Sequence, residues 1–195
     1  MSDELSRRAL ALGLAAGALM PGAALAQNNR NRDRDTYSEN EISDAAERFF
    51  GAGAEGLATV IAHVFHDLGR PNGYVAGNEG SAAIGIGLRY GNGWLRLKGH
   101  PGSTRVYWRG PSIGFDTGGN AAKNFTLVYN MSSGNQIFQR FPGVDGSAYF
   151  VGGVGVNYQR ANNITLAPMR AGVGLRLGAN VGYLHYSRHG GINPF

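Results

Sequence analysis

The chain has 195 residues, 43% of them hydrophobic, with 32 glycines, no cysteine and a formal net charge of +5. That length suits one domain with a core of its own, and the missing cysteines exclude disulfide staples, a thiol nucleophile and a thiolate metal site. The charge is uneven: residues 27–68 hold 4 basic and 8 acidic side chains, residues 69–195 hold 12 basic and 3 acidic, so the later part suits anionic neighbours.

At the start, Arg7-Arg8 precede an apolar run from Ala9 to Met20, then Pro21 and the small-x-small pattern Ala24-Leu25-Ala26. This pattern predicts a secretory signal over 1–26, cleaved before Gln27, and a periplasmic address. Ser6-Arg7-Arg8 hints at twin-arginine export. The run is too short for a permanent transmembrane anchor, and no later run approaches 18 apolar residues. Residues 27–36, QNNRNRDRDT, have no apolar side chain and read as a solvated linker.

Residues 37–195 are expected to form a single domain, opening with a helical hairpin over 37–69. Ser38 and Glu41 have the spacing of a capping box, followed by Ala45, Ala46, Phe49 and Phe50 at helical intervals. Leu57, Val60, Ile61, Val64, Phe65 and Leu68 then form the apolar stripe of a second helix, which Gly69 and Pro71 end. Between the helices, Gly51-x-Gly53-x-x-Gly56 has the spacing of a dinucleotide-binding turn, and Glu79 lies where a ribose-binding acid would. That turn must leave a strand, however, and here a helix precedes it. The glycines read instead as a bend that lets the hairpin lie close on its neighbour. His63 and His66, with Asp67 beside them, lack further ligands for a metal and read as core-edge histidines.

From Tyr74 the period changes to two. Ile84, Ile86, Leu88 and Tyr90 alternate with glycine and Arg89, and Gly91-Asn92-Gly93 reads as the turn of a hairpin into Trp94–Lys98. Further strands are expected near 105–109, 112–116, 125–130, 136–141, 148–158, 164–169 and 172–186, with no helix between them. A closed antiparallel β-barrel of about eight or more strands over 73–188, carrying the helical hairpin at its N-terminus, removes exposed edges most simply. Glycines such as Gly152, Gly153, Gly172 and Gly174 recur within these strands. They suit a narrow, curved barrel, a face against which the hairpin lies closely, or a tunnel lined by backbone. Alternation sets Arg89, Arg96, Lys98, Arg105, Arg109 and Arg176 opposite apolar neighbours, and so on one wall. Ten of the 12 cations after residue 68 are arginine, whose planar fork binds phosphate or carboxylate in a bidentate manner. These six are the candidate anion-binding residues.

Catalytic signals are weak. Gly110-Pro111-Ser112-Ile113-Gly114 matches a nucleophile elbow, but that elbow passes from strand into helix and glycines follow here. Asp116 has no second carboxylate near it in sequence for acid–base work. No cofactor, metal or catalytic residue is assigned.

The runs GRPNGYVAGNEGSAAIGIGLRYGNG, VYWRGPSIGFDTGGNAAKNFTLVYN, QRFPGVDGSAYFVGGVGVNYQ and LAPMRAGVGLRLGANVGYLHYSR resemble the alphaproteobacterial envelope integrity protein A (EipA) family over about residues 37–195. The resemblance implies a small soluble periplasmic β-barrel needed for a sound envelope, with no assigned reaction. A fainter likeness is to SYLF lipid-binding domains, through the glycine-rich stretch PSIGFDTGGNAAKNFTLVYN. The expected role is non-enzymatic maintenance of the envelope through anionic lipid, lipopolysaccharide or glycan. The alternatives are an envelope hydrolase using Ser112 and a scaffold for another periplasmic protein. Nucleic acid is not an expected partner.

Overall fold

The computed structural model divides into two compact units, residues 1–32 and 33–195, and describes residues 34–51, 56–84, 86–112, 120–171 and 182–191. The expected signal peptide and nearly all of the linker therefore lie outside the described residues.

Helix α1 spans Glu39–Phe50 and α2 spans Leu57–Leu68. The capping box forms as expected. The Glu41 backbone N–H donates to Ser38 Oγ at 3.3 Å and the Ser38 N–H donates to Glu41 Oε2 at 2.8 Å, which satisfies two otherwise orphaned donors. Each helix ends at a glycine of positive φ, Gly51 at 78° and Gly69 at 74°, a conformation that costs glycine little.

Among the described residues ten antiparallel strands follow: β1 Gly73–Ile84, β2 Ile86–Leu97, β3 Thr104–Ser112, β4 Asn120–Tyr129, β5 Arg140–Pro142, β6 Tyr149–Val151, β7 Val154–Val156, β8 Gln159–Ala161, β9 Ile164–Ala171 and β10 Tyr183–Ser187. Their order in the sheet is β5-β10-β3-β2-β1-β4-β9-β7-β6, with β8 paired to β9 off this path. One stretch expected to be strand, 136–141, begins instead as a 3₁₀ turn, Gly134–Ile137, whose Ser133 and Gln136 cap it as a second capping box. The separate strand expected at 112–116 begins on the last residue of β3 and otherwise lies outside the described residues.

Pairing and alternation divide the core in two. On one face Val75, Leu95, Val106, Val128, Phe141, Leu166 and Leu184, from seven different strands, share a single buried cluster. Strands from one end of the sheet to the other meet there only if the sheet curls around them. On the other face Phe125, Leu127, Val154, Val156, Ala167 and Met169 pack under Ile42, Ala46, Val60, Ile61 and Val64 of the helices. The hairpin thus covers the outer face of β4, β7 and β9.

The curl does not close as expected. Among the described residues the two ends of the sheet are joined by a single bridge, Gly143 with Gln159, and by no continuous ladder. β5 and β8 are each three residues long, and β5 ends on Pro142, which has no N–H to extend a ladder. The architecture is an open, barrel-like antiparallel sheet with two helices.

A second correction concerns Gly91-Asn92-Gly93. These residues are not a turn but the middle of β2, paired with Glu79, Asn78 and Gly77 of β1. A Cβ on Gly91 would stand 2.0 Å from Trp108 Cε2, and one on Gly77 would stand 2.7 Å from its Cη2. The glycines form a floor on which the indole lies, so the missing side chains serve inward packing.

Glycine does serve the close approach of the hairpin at one position. A Cβ on Gly56 would lie 1.9 Å from the Val151 carbonyl oxygen, and the Gly56 N–H donates to the Gly152 carbonyl at 3.3 Å. Replacing Gly56 by alanine is expected to cost about 1–3 kcal/mol by overpacking backbone that cannot yield, read as a lowered urea midpoint with an unchanged slope.

Candidate functional site

Register sets out the outer face of β1, β2, β3 and β10 as cross-strand rows, of which those beyond Tyr74 and Ala76 lie clear of the helical cluster. Asn78, Asn92, Tyr107 and Ser187 form one row; Gly80, Tyr90, Arg109 and His185 form the next. Residues directly opposite on one face are close enough to interact, with strands about 4.8 Å apart. Trp94 and Arg105 are paired one step away. A groove of about 510 Å³ lies along these rows, lined by Asn78, Tyr90, Asn92, Tyr107, Arg109 and Ser187, with Gly80 and Gly91 opening its floor.

The Arg105 guanidinium donates to Asn92 Oδ1 at 2.6 Å and lies over two rings, 5.0 Å from the Trp94 centroid and 5.4 Å from that of Tyr107. Such stacking holds a planar cation while leaving its edge free to bond. Trp94, 47% exposed, is among the described residues the one large apolar side chain that stands exposed. Arg109 donates to the Gly191 carbonyl at 3.4 Å and pairs across strands with His185, which in turn pairs with Arg140. Burial, Arg109 and Arg140 together hold His185 below the usual histidine range, so at neutral pH the imidazole adds no charge. Among the described residues, no ion pair forms at Arg105, Arg109 or Arg140. A cationic, aromatic and amide-lined surface results, suited to bidentate capture of an anion.

The six arginines and lysines expected on one wall separate. Arg105 and Arg109 stand together on this outer face. Arg96 is also outward on β2 but pairs with Tyr74 of β1, at the end nearer the helices. Lys98 is taken up by Glu41 of α1 in an ion pair and lies 4.8 Å from the Tyr37 ring centroid. Arg176 lies outside the described residues. Arg89 corrects the expectation outright, since it is 6% exposed and points into the curled sheet. Without a turn at 91–93, alternation runs unbroken along β2, so Arg89 shares the inward parity of Leu95 and Leu97.

Inside the sheet, Glu79 is the centre of a buried polar cluster. Arg89 Nε and Arg170 Nε lie 2.9 and 3.1 Å from Glu79 Oε1, while Trp108 Nε1 and Asn124 Nδ2 donate to Oε2 at 2.8 and 3.0 Å. Thr126 donates to Asn124 Oδ1 at 2.9 Å, and Arg170 Nη1 donates to Asn157 Oδ1 at 2.9 Å. Burial pushes the Glu79 carboxyl up, but Arg170, Arg89, Trp108 and Asn124 outweigh it and leave the group below the ordinary carboxylate value. In sequence, Glu79 stands only at the spacing of a ribose ligand. Its inward parity could have been read from Val75 and Gly77 in the same strand.

The other chemical candidates have structural settings. Ser112 is the last residue of β3, paired with Gly87; Asp116 and the residues after Ser112 that a nucleophile elbow requires lie outside the described residues. His63 stacks on Tyr149 at 4.0 Å between centroids and lies 3.4 Å from Asp67. Asp67 also accepts from Tyr158 at 2.8 Å and contacts His66 at 3.1 Å. These contacts tie α2 to the segment around β6–β8. Among the described residues no group of three or more histidine and acidic side chains is poised for a metal, and no helix is long and apolar enough to cross a membrane.

Comparison with known proteins accords with this geometry. A crystal structure of an uncharacterised, β-barrel-like protein from Brucella abortus matches with a TM-score of 0.74 and 43% identity, over 83% of this chain and 99% of that one. No curated protein matches. The family model described as Envelope integrity protein A matches residues 35–195, a span that takes in both helices and all ten strands, and the chain belongs to that family.

Proposed function

We propose that this chain is a non-enzymatic periplasmic protein that supports envelope integrity by holding anionic groups of the envelope, the phosphates or carboxylates of lipid or polysaccharide, on the outer face of β2, β3 and β10. The family's name supplies the envelope role. The observation that carries the binding reading is the pair Arg105 and Arg109, outward on one strand, stacked or braced by neighbours and joined to no described carboxylate. Arg140, across His185 from Arg109, extends the same charge. Partly desolvated guanidiniums beside aromatic rings retain attraction for an anion that free surface lysines would lose to screening.

Reversing both charges, Arg105→Glu with Arg109→Glu, is the direct test. Binding of the mature protein to phosphatidylglycerol vesicles or to an acidic glycan, followed by sedimentation or calorimetry, is expected to fall at least about tenfold, since each basic residue near an anionic surface contributes about 1 kcal/mol. Equal binding by wild type and the double variant, or no preference for anionic over neutral vesicles and glycans, would sink the reading.

A further inference from the structure

The groove beside Arg109 carries more chemistry than a site for a bare charge needs. Its two rows offer, across four strands, two carboxamides, two phenols, a serine hydroxyl and one guanidinium. Carboxamides donate and accept at once, which matches hydroxyl groups that do the same. A phenol ring supplies an apolar face with a polar rim, suited to the flat C–H face of a pyranose. Arg109 stands at one side of the groove to take a carboxylate or phosphate substituent. Gly80 and Gly91 bring no side chain into the groove, so a ring can settle towards the sheet, where Glu79 and Trp108 complete the lining and the Glu79 carboxylate is already neutralised by Arg89 and Arg170. The volume of about 510 Å³ lies within the usual range for small-ligand sites.

A lipid surface fits the same groove poorly. Interfacial binding draws on apolar side chains that enter the acyl boundary, and along the groove's own lining none stands exposed, the nearby exposed Trp94 being covered on one face by Arg105. Tyr90 and Tyr107 line the groove. Asn92 lies across from Tyr107 and two residues from Tyr90, with Asn78 beyond it on β1, and a bilayer gains nothing from these amides.

We propose that this groove is a saccharide subsite for an acidic polysaccharide, with a sugar ring against the part of Tyr107 that lines the groove and that Arg105 leaves uncovered, its hydroxyls on Asn78 and Asn92, and its acidic substituent on Arg109. The inference rests on the anion-binding reading above and narrows it to one class of ligand.

The test uses the mature protein with three probes: oligogalacturonate, neutral dextran oligosaccharide of similar length, and phosphatidylglycerol vesicles. Tryptophan fluorescence and calorimetry follow binding. Oligogalacturonate is expected to bind and dextran to bind much more weakly. Asn78→Ala and Tyr107→Ala are each expected to weaken oligogalacturonate binding about tenfold, the effect of losing one well-made contact; Asn78→Ala is expected to leave vesicle binding unchanged, whereas Tyr107→Ala, which also removes a ring from beneath Arg105, is expected to weaken vesicle binding as well. Circular dichroism and urea midpoints check that the variants are folded, and Tyr107→Phe, which keeps the ring, is expected to retain most of the binding.

Vesicle binding without oligogalacturonate binding would overturn the saccharide subsite and leave the anionic face intact. Oligogalacturonate binding that Arg105→Glu with Arg109→Glu abolishes, but that Asn78→Ala and Tyr107→Ala leave unchanged, would also overturn it, because the glycan would then be held by charge alone. Binding of none of the probes would remove both readings.

Discussion

Replacing Glu79 by alanine is expected to cost about 3–5 kcal/mol, the usual penalty for removing one partner from a buried ionic cluster. With typical domains stable by about 5–15 kcal/mol, much of the fold's margin would go with it. The carboxylate is 5% exposed and receives Arg89, Arg170, Trp108 and Asn124. Its loss leaves Arg170, 5% exposed, with Asn157 as its hydrogen-bond partner and no countercharge among the described residues. Urea denaturation of the single variant measures the effect. Combining it with Arg89→Met and Arg170→Met is expected to recover most of the loss, since apolar replacement of a whole buried cluster is often neutral. An alanine variant within about 0.5 kcal/mol of wild type would show that the cluster is solvated.

The same residue gives a pH dependence of definite sign. Its folded-state pKa lies below the ordinary 4.5, so its contribution is complete above that pH and is lost as pH falls through the folded value. Wild-type stability should therefore decline as pH drops below about 4.5, and Glu79→Gln should decline less steeply over that window. Parallel slopes would assign acid sensitivity to other groups, of which Glu41 is the first to consider, since hydrogen bonding from Lys98 and Ser38 holds it low as well.

Trp108→Ala is the second large effect, at about 3–5 kcal/mol for a truncated buried aromatic. The indole is 2% exposed and rests on Gly77 and Gly91, whose backbone has no side chain to move into the space left behind. It also donates to Glu79 at 2.8 Å. Trp108→Phe would refill part of the volume without restoring that donor, and is expected to fall between wild type and alanine. Because Trp108 and Glu79 touch, the double variant should lose less than the two single losses together. Full additivity in a double-mutant cycle would mean that indole and carboxylate act independently. Gly91→Ala attacks the same contact from below and is expected to destabilise by about 1–3 kcal/mol through overpacking.

Much was legible in the residues alone. The Ser38–Glu41 capping box, the stripe from Leu57 to Leu68 and the change of period at Tyr74 are local signals, each complete within a dozen residues, and the structure bears out the helices and the long β half. The outward facing of Arg105 and Arg109 was likewise readable, because Val106 and Trp108 alternate with them inside one uninterrupted strand. A strand's two faces follow from a period of two once its limits are known.

The errors arose where a limit was misread. Gly91-Asn92-Gly93 has the composition of a hairpin turn, and local chemistry cannot distinguish a turn from three residues kept small for a tryptophan some 15 positions later in the chain. Taking the apolar set Ile84, Ile86 and Leu88 as the core side puts Arg89 on the wrong face, and the misplaced turn hides that Arg89 shares the parity of Leu95 and Leu97, and with it the ion pair with Glu79. Closure of the sheet was likewise beyond local reading, since it depends on whether β5 and β8, far apart in sequence, can pair over more than Gly143 and Gln159. Sequence by itself therefore determined the elements, the charge split and the faces of unbroken strands, all of which rest on neighbouring residues. Only the tertiary structure decided which cations remain on the outer face and which are neutralised within, because burial and pairing depend on strands brought together from across the chain.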